Sequence, residues 1–144
     1  LILELSLLGI VVSCVYILIF NVYPGGIIVP IYFSLYLNQP KRIIVTLLIA
    51  ILASFLYQFF AHKLILFGRR RFVFIIILSS FLSLIVSLFL TDFQSGLSVY
   101  KSIGILIPGL LANNILRQGF MITMTALFTV SIVLFFVFRA YFYL

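Results

Sequence analysis

The sequence predicts an all-α, polytopic membrane protein: four long transmembrane helices, two short re-entrant or broken helices, and an internal duplication. Three observations carry this prediction. Of 144 residues, 66% are hydrophobic and only 8% charged, whereas an ordinary globular domain has about a quarter charged residues. The apolar residues form long uninterrupted runs, so lipid must be the solvent for most of the surface. A Gly-Pro pattern occurs twice, once in each half of the chain.

The first run, Ile2 to Phe20, has 19 residues, about 28 Å at about 1.5 Å per residue, which matches a hydrocarbon core of roughly 30 Å. It lacks the basic n-region and small-residue cleavage site of a secretory signal, so it reads as a retained span. Gly9 and Ser13 lie four residues apart on it, a spacing that lets helices approach closely in lipid. Cys14 is the only cysteine; it reads as a small packing residue and excludes an internal disulfide or a cysteine-based zinc site.

Next comes Gly26 to Leu37, too short to span as a helix and bounded by glycine, proline and amides. Pro30 suits the first turn of a helix, where a missing N–H costs nothing. A half-helix starting there leaves unpaired N–H groups and the positive end of its dipole, a setting for an anion such as a carboxylate. The competing reading is that the proline merely ends one helix and kinks the chain into the next. Asn38 and Gln39 follow and are read as caps for exposed carbonyls.

The second span, Ile43 to Ala61, carries Ala50 and Ser54 as a small-residue pair. Lys41 and Arg42 precede it; they either snorkel to lipid headgroups or attract a polyanion. A basic stretch from His62 to Arg71 joins the halves, with Arg69, Arg70 and Arg71 read as an interfacial basic loop on the cytoplasmic side. The third span, Phe72 to Leu90, has Ser79, Ser83 and Ser87 in a stripe, read as a packing face, with a pore lining as the sharper alternative. The second short segment, Gly104 to Leu116, repeats the first: Gly26-Ile27-Ile28-Val29-Pro30 recurs as Gly104-Ile105-Leu106-Ile107-Pro108. Gly109 follows that proline, and Asn113, Asn114, Arg117 and Gln118 close the segment. The fourth span is Phe120 to Phe138.

These elements form a single membrane domain whose repeat halves are approximately 1–61 and 72–144. If the short segments re-enter, the halves are parallel copies; if they cross, the halves are inverted, as in many transporters.

Net charge is +7, from nine Lys and Arg against Glu4 and Asp92. The cations flank apolar spans instead of forming a basic stripe, which argues for headgroups or an anionic partner and against nucleic acid. No catalytic constellation can be assembled: His62 is the only histidine, the two carboxylates are far apart, and no phosphate-cradling loop is present. No metal or cofactor is expected, and the chain is not expected to be an enzyme by itself.

Several motifs, taken in order, resemble the PgsC/CapC family of poly-γ-glutamate biosynthesis proteins. They are Gly26-Ile27-Ile28-Val29-Pro30, Asn38-Gln39-Pro40, Leu66-Phe67-Gly68-Arg69-Arg70-Arg71-Phe72, Gly104-Ile105-Leu106-Ile107-Pro108-Gly109-Leu110-Leu111-Ala112-Asn113, and Arg117-Gln118-Gly119. One departure is that Ile31 follows Pro30, where the family usually has glycine.

The resemblance implies a membrane subunit in the bacterial cytoplasmic membrane that works with a PgsB/CapB-like ATP-dependent ligase and a PgsA/CapA-like subunit. Gly26, Pro30, Gly104, Pro108, Gly109, Arg117, Lys41 and Arg42 are then the expected contacts for a poly-γ-glutamate chain. Four helices leave little room for a pore, so an oligomer or a channel shared with partners is expected. The rival expectations are a scaffold that anchors the ligase and an independent small-solute transporter.

Overall fold

The computed structural model describes residues 2–63, 68–93 and 105–144. Among these residues there are six helices and no strand: α1 (Ile2–Phe20), α2 (Val29–Leu35), α3 (Pro40–Ala61), α4 (Arg69–Phe93), α5 (Ile107–Gln118) and α6 (Phe120–Tyr143). The four long ones are apolar enough to cross a membrane. Large apolar side chains such as Leu18, Phe89 and Met121 are more than two-thirds exposed along them, as expected of helices whose outer faces meet lipid.

The elements start and stop for local reasons. α1 ends at Asn21, one of the few residue types that accepts the left-handed region (φ 53°), and its N–H closes the last turn on Ile17 at 2.8 Å. Pro24, Gly25 and Gly26 then hold the chain out of helix up to Ile28. Pro30 stands in the first turn of α2 and Pro40 in that of α3, where a ring without an N–H is tolerated.

Several boundaries differ from the sequence expectation. α3 begins at Pro40 instead of Ile43 and α6 runs to Tyr143 instead of Phe138. The triplet Arg69, Arg70 and Arg71, expected as an interfacial loop, forms the first turn of α4. Lys and Arg are good helix formers whose stems lie along apolar surface, so a cation ends an apolar run without ending a helix. The short helices are also shifted. α2 is only 7 residues long, and α5 extends to Gln118, with Asn113 and Asn114 inside it. Gly104, expected to open the second short segment, lies outside the described residues.

The chain divides into two compact units, Leu1–Asn38 with Asn114–Leu144, and Gln39–Asn113. This division differs from the contiguous halves of the sequence repeat. In the first unit α6 packs on α1 and α2, around Leu5, Ile31, Val130, Leu134 and Phe138. In the second unit α3 packs on α4, with Tyr57 and Phe60 each 6.2 Å from Phe74 and the Arg71 guanidinium 5.5 Å over the Tyr57 ring.

The burial registers of the two units run in parallel. Leu5, Gly9 and Ser13 are buried on α1, and Ile75, Ser79 and Ser83 at the same spacing on α4. Val29, Pro30, Ile31, Phe33 and Ser34 on α2 correspond to Ile107, Pro108, Gly109, Leu111 and Ala112 on α5. Thr46, Ile49, Ala50, Ala53, Ser54 and Tyr57 on α3 correspond to Thr123, Ala126, Leu127, Val130, Ser131 and Leu134 on α6. Even the hydroxyl bonds agree: Thr46 donates to the Arg42 carbonyl and Thr123 to the Gly119 carbonyl, each at 2.8 Å.

Within the first unit the route of the first short segment is defined. Tyr23 is hydrogen-bonded to Gln118, just before the start of α6, whereas Asn38 lines a cavity with Arg139 and Phe142 near the end of α6. α6 has 24 residues, a length of about 36 Å. The segment therefore crosses from one end of α6 to the other within this unit instead of doubling back, and α2 forms its second part.

Candidate functional site

The stretch Asn21–Ile28 is non-helical backbone inside a membrane protein, and such backbone persists only where protein or a watery cavity shelters it. Its shelter comes from the end of α5 and the start of α6. Tyr23 N–H donates to Gln118 Oε1 at 2.9 Å, and Gln118 Nε2 donates back to the Tyr23 carbonyl. One amide side chain thus satisfies both polar groups of a residue that has no helical partner. The same Nε2 lies 3.4 Å from Thr123 Oγ1, which in turn is 3.4 Å from the Asn114 carbonyl.

Gly119 makes this possible. It is the single residue between α5 and α6, with φ 100° and ψ 154°, a region essentially reserved for glycine. The chain turns there, so Gln118 ends one helix while Thr123 closes the first turn of the next on the Gly119 carbonyl. Arg117 lies in the last turn of α5, where a cation complements the helix dipole. Its guanidinium sits 5.7 Å from the centroid of the Tyr23 ring while the residue stays exposed. On the far side of the stretch, a Cβ on Gly26 would lie 3.7 Å from Asn114 Nδ2.

Of the residues expected from sequence, Gly26, Arg117 and Gln118 are therefore brought together, along with Asn114. Pro30 lies at the start of α2, where Val29, Pro30 and Ile31 are all buried. Ile31 packs against Gly9: a Cβ on that glycine would come within 2.6 Å of Ile31 Cγ1. Gly109 has the mirror-image arrangement in the second unit, where a Cβ would collide with Ser79 Oγ and reach 3.2 Å from Ile76 Cα. The bulky residue after Pro30 is thus matched by a glycine on the long helix, and the glycine after Pro108 by a larger residue there.

Lys41 and Arg42 occupy the first turn of α3 in the second unit. Gln39 is the N-cap of α3 without a side-chain cap bond, Asn38 sits in the turn after α2, and Asn113 is interior to α5. Gln118 is spent on Tyr23 and Thr123. Tyr23 and Thr123 were not among the expected residues. The available signals were an aromatic residue directly before Pro24-Gly25-Gly26, and a threonine four residues after a helix-breaking glycine.

The model of the family described as "Capsule biosynthesis CapC" matches residues 8–124. Among curated relatives, the "PGA biosynthesis protein CapC" of Bacillus subtilis (strain 168) is 32% identical over 118 residues, covering 81% of this chain and 79% of the relative. The "Capsule biosynthesis protein CapC" of Bacillus anthracis is 32% identical over 117 residues, covering 81% and 78%. No solved structure matches the chain.

Proposed function

Because this chain belongs to the CapC family of capsule biosynthesis proteins, we propose that it is a non-catalytic membrane subunit in the synthesis and export of poly-γ-glutamate. In this reading it sits in the bacterial cell membrane and works with a CapB-like ATP-dependent ligase and a CapA-like subunit. The stretch Asn21–Ile28 and its flanking cations guide the growing polyanion. Moving an unpaired carboxylate through lipid is very costly, so the polymer needs a route lined by cations or water.

The observation that carries this reading is the clamp on Tyr23. Gln118 holds an unwound segment in place within a membrane-spanning unit, and the exposed Arg117 guanidinium stands over that segment's only aromatic ring. Unwound segments between half-helices are where membrane transporters place their binding sites. The matched burial registers of α1–α3 and α4–α6 support reading halves 1–61 and 72–144 as copies, with Lys41 and Arg42 as further contacts for the polymer. Gly26, Pro30, Pro108 and Gly109 then serve by shaping the backbone around the route.

The test replaces Arg117 with Gln in cells carrying the partner subunits, then measures polymer outside the cells beside ligase activity in isolated membranes. Extracellular polymer should fall at least about tenfold, since one hydrogen bond to a charged group is worth about 1.5–3 kcal/mol, while ligase activity is retained. Unchanged export from an assembled complex would overturn the route.

A further inference from the structure

The opposite end of the first unit holds a feature that the polymer route leaves unused. Two cavities, each about 350 Å3, adjoin the C-terminal part of α2 and share Leu35 and Phe138 in their walls. That volume is within the range of small-molecule sites. The two cavities differ in chemistry. One is lined by Ser34, Asn38, Arg139 and Phe142, and neither Asn38 nor Arg139 has a side-chain partner among the described residues. The Ser34 hydroxyl is already engaged, donating to the Ile31 carbonyl at 2.7 Å. The free donors in this cavity are therefore a guanidinium and an amide, with no carboxylate to balance them.

The other cavity is lined by Leu5, Ile10, Ile28 and Ile31, with Ser6 and Tyr32 as its only hydroxyl-bearing walls. It follows α1 from Leu5 to Ile10 and, beside it, the 7 residues of α2 from Leu35 back to Val29 and then Ile28, so it leads away from the cationic end. α2 covers about 10 Å in those 7 residues. Tyr141 and Tyr143, exposed at the end of α6, place Arg139 at headgroup level, where tyrosines collect.

We infer that the paired cavities bind one anionic phospholipid, with its phosphate on Arg139 and Asn38 and one acyl chain along α1 and α2. A cation with amide support recognises the phosphate. No acidic residue lines either cavity, and the Glu4 carboxylate next to Leu5 is already engaged by the Tyr141 hydroxyl, which donates to it at 2.8 Å. A polymer of carboxylates matches the first cavity but has no hydrocarbon chain for the second, and for this reason the lipid is the occupant.

The test uses the full chain in detergent, stripped of lipid, and compares phosphatidylglycerol with phosphatidylcholine of the same acyl chains. Lipid retained per chain is read by native mass spectrometry, and thermal unfolding is followed in parallel, since a ligand of the folded state raises the midpoint. The wild-type chain should retain phosphatidylglycerol about tenfold better, and Arg139→Gln should remove that preference, the loss falling mainly on phosphatidylglycerol because the ammonium of phosphatidylcholine already balances its own phosphate. Ile10→Phe, which narrows the apolar cavity, should weaken both lipids. Equal retention of the two lipids by the wild-type chain would overturn the inference without reliance on any variant. So would displacement of phosphatidylglycerol by poly-γ-glutamate or by inorganic phosphate at matched phosphate or carboxylate concentration.

Discussion

At Gly119 a backbone angle, more than any contact, sets the geometry of the candidate site. Nothing lies within 4 Å of where a Cβ would stand, so Gly119→Ala tests conformation alone. It should cost about 1–3 kcal/mol, seen as a lower thermal midpoint in detergent. Gln118→Met keeps the side-chain length but leaves the Tyr23 N–H without its partner and the Tyr23 carbonyl with only the Gly25 N–H. It should destabilise by about 1–3 kcal/mol and speed proteolysis at the Asn21–Ile28 stretch. Ser13 behaves in the opposite way: its hydroxyl is buried with no partner among the described residues, so Ser13→Ala should leave stability unchanged or raise it by up to about 1 kcal/mol, as measured by the same melts. None of these roles was visible in the sequence. Gln118 binds a residue 95 positions away, and nothing local to a Gln-Gly pair indicates which backbone it will meet.

At the scale of the helix pair, the unusual residue after Pro30 becomes intelligible. Ile31 fills a space that Gly9 leaves open on α1, while Gly109 opens the space that Ser79 fills from α4. Gly9→Ala should therefore destabilise by about 1–3 kcal/mol, and Ile31→Ala should recover part of that loss because the clash is between these two side chains alone. A double-mutant cycle on thermal or denaturant unfolding measures the coupling, and purely additive effects would contradict the packing account. The starts of the short helices could be read from Pro30 and Pro108 because a ring without an N–H suits only the first turn. Their ends could not. Asn113 and Asn114 look like terminators in sequence but lie inside α5, since asparagine is only a moderately poor helix former. Likewise the starts of α3 and α4 lie beyond cations that close an apolar run without closing a helix.

For the chain as a whole, the four long helices were legible because an uninterrupted apolar run of that length has few other uses, whereas the partition into units was not, because it depends on which helices meet. Direction in the first unit can be tested with Cys14 replaced and single cysteines placed at Asn21, Asn38, Gln118 and Tyr143. An impermeant thiol reagent should reach Asn21 and Gln118 from one face and Asn38 and Tyr143 from the other; Asn38 labelling with Gln118 would refute the crossing. The discontinuity of that unit, with Leu1–Asn38 on one side and Asn114–Leu144 on the other, has a consequence during biosynthesis. α6 supplies the packing partner for α1 and α2, yet it leaves the ribosome after α3, α4 and α5, several seconds after α2 at roughly 5–20 residues per second. Until then the unwound stretch after α1 has neither Gln118 nor Thr123 beside it. The contiguous Gln39–Asn113 unit can assemble in the meantime, so a nascent chain stalled before Phe120 should be a substrate for membrane quality control at its amino-terminal third.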